Sequence, residues 1–311
     1  MSRRRQSGVA LMTALLVMAL LGTLAISLAW DNGMDVRRTY SMLYHDEGSQ
    51  AALGAENWVA SILRDDAVDT DTDHLGEIWA QELPVLPIES DTIQGAIQGE
   101  IEDLQGRFNI NNLVDSSGQV DQEALAQFER LLVALGLDPR FAGLAADWID
   151  ADQEPGFPSG AEDPIYTGMI PPYRSADQRI TSITELMALE GMDKATWDTL
   201  APHITALPGS TGINVNTATG AVLASLDEGL SPNDIESMIA EREDGGFTDF
   251  QNYFQTLVPA EVLDTLEETS SFFQLKVVVQ IDTVRVTYYS VLYRDPATGT
   301  TTPILRSFGT I

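Results

Sequence analysis

Residues 1–30 decide the fold, and they read MSRRRQSGVALMTALLVMALLGTLAISLAW. After the short basic stretch that ends at Gly8, the run from Val9 to Trp30 contains no charged residue. As a helix this run reaches ~33 Å at ~1.5 Å per residue, which is enough to cross a ~30 Å hydrocarbon layer. The arginines before the run and Asp31 after it predict that the amino terminus lies in the cytoplasm.

Three kinds of segment share this pattern, and they differ in where the chain would be cut. A secretory signal peptide would be cut near Ala29, but its apolar core is usually only ~7–15 residues long. A plain transmembrane anchor would not be cut. A prepilin-type leader is cut on the cytoplasmic side after a glycine, here Gly8, and leaves the apolar helix on the mature chain with Val9 first. We favour this third interpretation because RRRQSG followed by VALMTALL is typical of it.

The apolar helix is predicted to continue beyond the membrane as an amphipathic stem. No proline occurs before Pro84, so nothing of that kind interrupts the helix. Apolar residues recur at helical spacing at Leu43, Ala51, Ala55, Trp58, Val59, Ile62 and Leu63. We therefore predict a stem that ends at about Asp65 and packs on a sheet. The alternative is two helices, broken near Gly33 or Gly48.

Strand patterns occur on both sides of a long helical region. Residues Ile97–Ile110 alternate between apolar and polar and predict one or two strands. Near the end of the chain, Phe273–Ile281 and Val284–Tyr293 are rich in β-branched and aromatic residues, and Thr302–Phe308 follows as a weaker strand. Helical patterns fill the sequence between these regions, which predicts an α+β fold with an all-α domain inserted between strands of one sheet.

The composition limits the partners and the chemistry. The formal net charge is −30, which disfavours nucleic acid and anionic membrane surfaces and suits basic partners or bound cations. Solubility alone would explain the same charge. The absence of cysteine excludes disulfides, thiolate nucleophiles and zinc–thiolate sites.

An acidic segment near the middle of the chain is a candidate calcium site. Within residues 147–163 the carboxylates are Asp147, Asp150, Asp152, Glu154, Glu162 and Asp163. Calcium binds ~6–8 oxygens, and closely spaced acids repel one another unless a cation neutralises them. The segment is not an EF-hand, because Ala161 stands at the twelfth position from Asp150. A solvated acidic loop and a paired-carboxylate glycosidase site are the alternatives.

Residues Ile213–Phe254 resemble a helix-hairpin-helix unit, and Ser182–Leu200 resemble a degenerate second copy. In DNA-binding versions the hairpin amides face phosphate. Here Asp227 and Glu228 occupy that stretch. The pattern therefore favours a structural or protein-contact role and no binding of nucleic acid, with a membrane-anchored DNA receptor as the alternative function.

Catalytic motifs are missing from the sequence, and we predict that the protein is not an enzyme. The three histidines, His45, His74 and His203, are scattered, and no Gly-x-Ser-x-Gly, P-loop or His-Glu-x-x-His motif occurs. An anchored periplasmic hydrolase that uses the acidic segment is the remaining enzymatic alternative.

Several segments together resemble the K-type minor pseudopilins (GspK family) of bacterial type II secretion. Besides the leader, they are DLQGRFNINNL at 103–113, DWIDAD at 147–152, GAED at 160–163, PPYR at 171–174 and INVNTA at 213–218. The likeness runs nearly end to end. It implies a pilin-like long helix on an antiparallel sheet, with a large inserted helical domain that binds structural calcium.

The resemblance also implies a processing pathway and a place in an assembly. Prepilin peptidase would cut after Gly8, and Val9 would be methylated. The protein would be a single-pass inner-membrane protein with a periplasmic globular part. It would join the I-type and J-type minor pseudopilins at the tip of the pseudopilus, with the H-type and the major pseudopilin as further partners. There it would initiate or cap assembly for export across the outer membrane.

One residue of the apolar helix fits a tip position. Thr13 is the fifth residue of the predicted mature chain, where most pilins carry a glutamate that pairs with the amino terminus of a neighbour. A subunit with no neighbour above it has no use for that carboxylate, which is costly in hydrocarbon. The predicted divisions are 1–8 for the leader, 9–30 for the transmembrane helix, 31–111 for the stem and first strands, 112–270 for the helical domain and 271–311 for the closing strands.

Overall fold

A single helix, α1, runs from Ser7 to Asp69 and is the longest element of the protein. The computed structural model describes residues 7–89, 94–156, 158–243 and 245–310, so most of the predicted leader lies outside the described residues. The alternative of two helices is wrong, because α1 passes through Gly33 and Gly48 without a break. A backbone of this length extends ~95 Å at ~1.5 Å per residue.

The first half of α1 is exposed along its whole length. Among the described residues, α1 is the one helix that is long and apolar enough to cross a membrane. No residue of its most apolar stretch is buried. Thr13 lies in this half, where its hydroxyl donates to the carbonyl oxygen of Ala10 at 3.0 Å. The apolar half is therefore a candidate membrane anchor. The Thr13 hydroxyl needs no hydrogen-bond partner from another chain, because it already donates to a carbonyl oxygen of the same helix.

The second half of α1 packs on an antiparallel sheet. The described strands are β1 (Leu86–Glu89), β2 (Gln94–Asp103), β3 (Phe108–Asn109), β4 (Ile204–Thr205), β5 (Ile213–Asn214), β6 (Leu266–Glu267), β7 (Phe272–Ile281), β8 (Val284–Arg294) and β9 (Thr301–Phe308). Five of them form one sheet in the order β1-β2-β7-β8-β9, and α1 lies against β7, β8 and β9. The predicted closing meander is confirmed, and a two-residue turn at Asp282, whose φ is +50°, joins β7 to β8.

The buried face of the stem differs from the predicted one. The buried residues are Gly48, Ala52, Glu56, Val59 and Leu63, which follow each other at steps of three or four along one side of the helix. Leu43 and Trp58 were expected on this face, but they are 51% and 42% exposed. The sheet packs directly on Gly48 at the start of this face, where an added Cβ would lie 2.9 Å from a methyl group of Val286.

The helical domain fills the chain between two neighbouring strands of the sheet. Its helices are α2 (Gln122–Ala134), α3 (Arg140–Ile149), α4 (Asp163–Tyr166), α5 (Lys194–Leu200), α6 (Gly220–Ala224), α7 (Pro232–Arg242), α8 (Phe250–Phe254) and α9 (Ala260–Leu263), with short 3-10 turns at Ile110–Leu113, Ile183–Ala188 and Ala201–His203. Strands β2 and β7 pair directly, from Gly95 with Ile281 to Asp103 with Phe273. The sheet is therefore continuous across the insertion, and the predicted α+β fold is confirmed. The limits given above for each division remain predictions.

The one or two strands predicted over Ile97–Ile110 are present as β2 and β3. Strand β2 belongs to the main sheet, whereas β3 pairs in parallel with β4. Later in the chain, α9 ends at Leu263, and β6 then pairs in parallel with β5 from the helix-hairpin-helix-like segment. These short parallel pairs join parts of the chain that are distant in sequence.

Two of the motifs that carry the family resemblance form the joint between sheet and helical domain. Asp103, at the end of β2, accepts hydrogen bonds from the Asn214 amide at 3.0 Å and from the Thr217 hydroxyl at 2.5 Å. Gly106 is needed here because an added Cβ would lie 2.7 Å from the Thr217 hydroxyl oxygen. Burial raises the pKa of Asp103 to about 6, against the opposing effect of hydrogen bonds from Ser270 and Thr217.

Candidate metal centre

Three carboxylates of the helical domain converge at the end of α3. Asp147 lies in the last turn of that helix, and Asp150 caps it, with its backbone amide donating to the Ala146 carbonyl at 2.9 Å. A loop rich in glycine and proline then returns the chain to Glu162, which is extended just before α4. Each of the three acids offers an oxygen within 4.8 Å of the others, and their exposures are only 2%, 4% and 0%.

The returning loop wraps closely around Asp147. The backbone amide of Gly156 donates to its carboxylate at 3.0 Å. An added Cβ on Gly156 would lie 2.8 Å from Asp147 Oδ1, and one on Gly160 would overlap the other oxygen. Glycine is therefore required at both places, because the backbone itself forms the wall of the site.

Two oxygens of the cluster are buried and lack a hydrogen-bond partner in the described part of the chain. They are Oδ1 of Asp150 and Oε1 of Glu162. The other oxygen of Glu162 accepts from the Ser175 hydroxyl at 3.2 Å. A buried polar atom without a partner is costly, by about 1–3 kcal/mol, and often marks the place of an unseen ion or water.

The electrostatics of the cluster favour a cation. Burial, reinforced by repulsion from neighbouring acids, raises the pKa of Asp150 to about 7 and that of Glu162 to about 7. Burial also raises the pKa of Asp147. Among the described residues, no arginine or lysine forms an ion pair with these three acids; Arg174 pairs instead with Asp163, at 3.6 Å. The cluster therefore carries charge that the protein itself does not neutralise.

The structure brings together three of the six predicted ligands. Asp147, Asp150 and Glu162 converge, whereas Asp152 and Glu154 are exposed, and the Asp152 carboxylate accepts from the backbone amide of Glu154 at 2.8 Å. Asp152 closes a tight turn with its own backbone, and from this exposed position it still raises the pKa of Asp150 and of Asp147 by repulsion.

Asp163 lies at the rim of the cluster, and a further acid lies close by. Oδ1 of Asp163 accepts from the Ser175 amide and hydroxyl, each at 3.2 Å. Asp177, which the sequence did not single out, raises the pKa of Asp150 and Glu162 by repulsion. It has a φ of +50°, and its carboxylate accepts from Gln153 at 2.8 Å. The sequence pattern did not indicate Asp177, because this residue lies outside the run of acids at residues 147–163.

The donor set fits a hard cation such as calcium. The donors are the oxygens of three carboxylates, and the Ser175 hydroxyl lies beside one of them. A glycosidase site is disfavoured, because two catalytic carboxylates must flank an open cleft that admits a sugar ring, and these acids are almost fully buried. The absence of enzymatic activity nevertheless stays a prediction.

The other predicted site residues lie far from this cluster in the sequence, at the beginning of α1. Gly8 and Val9 belong to its first turn, and Thr13 lies one turn further on. Their predicted roles in processing and assembly concern the membrane half of the protein. Cleavage after Gly8, methylation of Val9 and the role of Thr13 in assembly stay predictions.

The helix-hairpin-helix-like unit is present as α6, a short loop and α7. In the loop, the Gly229 amide donates to the Asp227 carboxylate at 2.8 Å, and Glu228 is exposed beside it. The amide that would face a phosphate is thus already occupied by an acid of the same loop.

Known protein families and structures match this architecture. Two family models for protein K of the type II secretion system (T2SS) match residues 106–209 and 213–272. The type II secretion system protein K of Pseudomonas aeruginosa is 36% identical over 255 residues, which cover 79% of this chain and 75% of that protein. The protein K of Pectobacterium carotovorum subsp. carotovorum is 33% identical over 300 residues, 90% of each chain.

A solved structure shows the same fold. A chain from the crystal structure of the GspK-GspI-GspJ complex of the enterotoxigenic Escherichia coli type 2 secretion system superposes with a TM-score of 0.76. The match covers 88% of this chain and 100% of that chain at 22% sequence identity. With the long helix, the sheet and the helical insertion in place, and with relatives of this similarity, the chain belongs to the type II secretion system protein K family.

Proposed function

We propose that this protein is a minor pseudopilin at the tip of the type II secretion pseudopilus, where it initiates or caps assembly for protein export across the outer membrane. The observation that carries the proposal is the position of the helical domain at the end of α1 that is farthest from the membrane half. There, Asn214 donates to the Asp73 carbonyl at 3.1 Å, and the Asp73 amide donates to Glu268 at 2.8 Å.

A domain in this position is suited to the end of a filament. Pilin-type filaments grow by packing the long helices of successive subunits side by side. A helical domain that covers the far end of α1 would collide with a subunit added above it. Thr13 supports the same location, because its hydroxyl is satisfied within α1 and it offers no carboxylate to a neighbour above.

The membrane half supports the proposed processing and orientation. Arginines precede the apolar run and an aspartate follows it, which favours a cytoplasmic amino terminus and a periplasmic globular part. Cleavage by prepilin peptidase after Gly8 and methylation of Val9 would leave α1 as an inner-membrane helix. Its exposed apolar surface would then pack against other pseudopilin helices in the filament.

The proposed partners are the I-type and J-type minor pseudopilins, together with the H-type and the major pseudopilin. The GspK of enterotoxigenic E. coli was solved in a complex with GspI and GspJ. In the stem of the present chain, Leu43 is 51% exposed, and Trp58 is 42% exposed at the edge of an apolar groove that Leu275 of the sheet also lines. Exposed apolar side chains of this kind are suited to contact with a neighbouring helix.

Calcium is the proposed structural ion of the helical domain. Asp147, Asp150 and Glu162 would hold it, with Asp163 and Ser175 at the rim. When bound, calcium would supply the positive charge that these buried acids lack and would fix the glycine-rich loop to the end of α3. A DNA-receptor function receives no support, because Asp227 already occupies the hairpin amide of Gly229.

The tip location can be tested with a single introduced cysteine, since the chain has none of its own. Val133, on α2, is 62% exposed, so a Val133→Cys chain can be labelled with maleimide-biotin and streptavidin-gold in isolated pseudopili. We expect gold at one end of a filament. A cysteine in the major pseudopilin should label the whole shaft in parallel. Gold from Val133→Cys along the shaft would contradict the proposal.

A further inference from the structure

A second acidic cluster lies at the end of α1, distinct from the centre in the helical domain. Asp66 belongs to the last turn of α1, and Asp73 and Glu77 belong to the segment that follows it. One oxygen from each of the three carboxylates lies within 4.8 Å of the others. Asp73 and Glu77 are 2% and 7% exposed, so the cluster is largely shielded from solvent.

Arg294 of β8 neutralises only part of the charge in this cluster. Its Nη1 lies 3.1 Å from Asp66 Oδ2, and its Nη2 pairs with Asp73 Oδ2. The His74 ring is the other basic group here, with its Nε2 3.9 Å from Glu77 Oε1. With His74 neutral, three carboxylates and one guanidinium leave two uncompensated negative charges when all are ionised. Burial, together with repulsion from Glu77 and Asp73, raises the pKa of Asp66 to about 7, although Arg294 acts in the opposite direction.

One carboxylate oxygen of the cluster is buried without a partner in the described part of the chain. Asp73 Oδ2 accepts from the Ser270 amide at 2.6 Å and from Arg294. Asp73 Oδ1 has no hydrogen-bond partner there. The carboxylate of Glu77 is held in place by the Thr70 hydroxyl at 2.8 Å and by the Trp79 indole at 2.7 Å. An oriented acid beside an unpaired oxygen is the arrangement expected around a cation.

The helix end and the surrounding cavity both suit a positive ion. The carboxyl end of a helix favours cations, yet the last turn of α1 contains no basic residue. A cavity of about 330 Å³ borders Thr70, Asp73, Ser270 and Arg294. Of the three acids, Asp73 lines this cavity.

We propose that Asp66, Asp73 and Glu77 bind one hard divalent cation, of the calcium or magnesium class, at the joint between stem, sheet and helical domain. The ligands are all oxygens, and the uncompensated charge equals that of one divalent ion. Because the Asp73 backbone is hydrogen-bonded to Asn214 and Glu268 of the helical domain, a bound ion fixes that domain on the end of α1. This site does not depend on the one at Glu162.

Terbium luminescence in the full-length chain can isolate the second site. The chain is purified in detergent, stripped with a chelator and titrated with TbCl3 under tryptophan excitation, in a Glu162→Gln background that impairs the first centre. Trp79 donates to Glu77 at 2.7 Å, so it is close enough to sensitise a bound ion. We expect saturable emission that falls several-fold in Trp79→Phe and is unchanged in Trp30→Phe, whose side chain lies ~54 Å along α1 from Asp66.

Ligand variants complete the test. Glu77→Gln and Asp66→Asn should each weaken terbium binding at least ~10-fold, and CaCl2 should compete with terbium in the parent chain. Asp65→Asn is the matched control, because Asp65 is an exposed neighbour in the same turn. Emission that is independent of Trp79, or terbium affinities in Glu77→Gln and Asp66→Asn as high as in the Glu162→Gln background, would overturn the proposal. Should Glu77→Gln lose its helical circular dichroism, Asp66→Asn decides the outcome by itself.

Discussion

The Glu56 carboxylate, in the middle of the buried face of α1, lies 2.6 Å from Nη2 of Arg306 on β9. The same carboxylate accepts a hydrogen bond from the Tyr288 hydroxyl and another from Ser290 at 2.7 Å. Burial by itself would raise the pKa of Glu56, but these hydrogen bonds outweigh burial and hold it below its usual value. One charged residue thus fixes the position of the stem along two strands.

Replacement of Glu56 by alanine should destabilise the protein. The hydroxyls of Tyr288 and Ser290 would lose their acceptor inside the stem–sheet interface, so we expect a loss of about 2–3 kcal/mol in the free energy of unfolding. Urea denaturation of the full-length chain in detergent, followed by circular dichroism, measures it. Glu47→Ala, at an exposed position of the same helix, should change stability by less than about 0.5 kcal/mol. Equal losses in both variants would contradict this role for Glu56.

The stem shows what sequence periodicity can and cannot predict. The length of α1 and its attachment to the sheet followed from the absence of proline and the helical spacing of apolar residues. The exact face did not, because the pattern counted apolar residues only, and Glu56 occupies a central buried position. Strand β1 was also missed, since it is short, contains Pro87 and follows closely on Pro84.

Calcium binding should depend on the converging acids and much less on their sequence neighbours. Glu162→Gln should weaken calcium binding at least ~10-fold, since it removes a buried carboxylate from the centre. Asp152→Asn and Glu154→Gln alter acids that are exposed, so they should retain calcium affinity within about threefold. Isothermal titration of the chelator-stripped chain gives the affinities. A loss in Asp152→Asn as large as that in Glu162→Gln would argue against the centre described here.

The same acids explain why the sequence could predict the region of the acidic cluster but not which of its acids converge. A dense run of carboxylates points to a cation site, whichever of its members bind. The direction of each side chain depends on the turn that Asp152 closes and on the return of the chain to Glu162, which is a tertiary event. The cluster of Asp66, Asp73 and Glu77 was hidden for a similar reason, because strand β8 supplies Arg294 from more than two hundred residues away.

The stability of the calcium-free protein should fall as the pH rises from about 4.5 to about 7. Folding raises the pKa of Asp150 and of Glu162 to about 7, so the folded state holds more protons than the unfolded state in this range. Asp66, whose pKa is also about 7, adds to the effect. Thermal unfolding in chelator at several pH values measures it. Millimolar calcium should flatten the decline, and a decline of equal steepness with calcium present would contradict the proposed site.

Gly106→Ala should weaken the joint between the sheet and the helical domain. The new Cβ would lie 2.7 Å from the Thr217 hydroxyl oxygen and 2.8 Å from its carbonyl oxygen, so the backbone must shift. We expect a loss of about 1–3 kcal/mol in unfolding free energy. Gly54→Ala is the matched control, because nothing lies within 4 Å of a Cβ there and alanine favours the helix. If the motif were a free surface loop, Gly106→Ala would destabilise the protein less than Gly54→Ala, and that result would contradict the prediction.

Gly8→Val should leave the amino-terminal leader uncut and abolish assembly. The retained leader would carry the arginines at positions 3–5 into the apolar interior of a filament, where charges are costly. Gly22→Val, which meets open space in the middle of the same apolar run, should still be processed. Intact-mass measurement and sequencing of the first residue distinguish the forms: the parent and Gly22→Val should begin at methylated Val9, and Gly8→Val should keep its leader. A parent chain that begins at Trp30 would show that the apolar helix is removed during export, and normal secretion by uncut Gly8→Val would show that cleavage is dispensable.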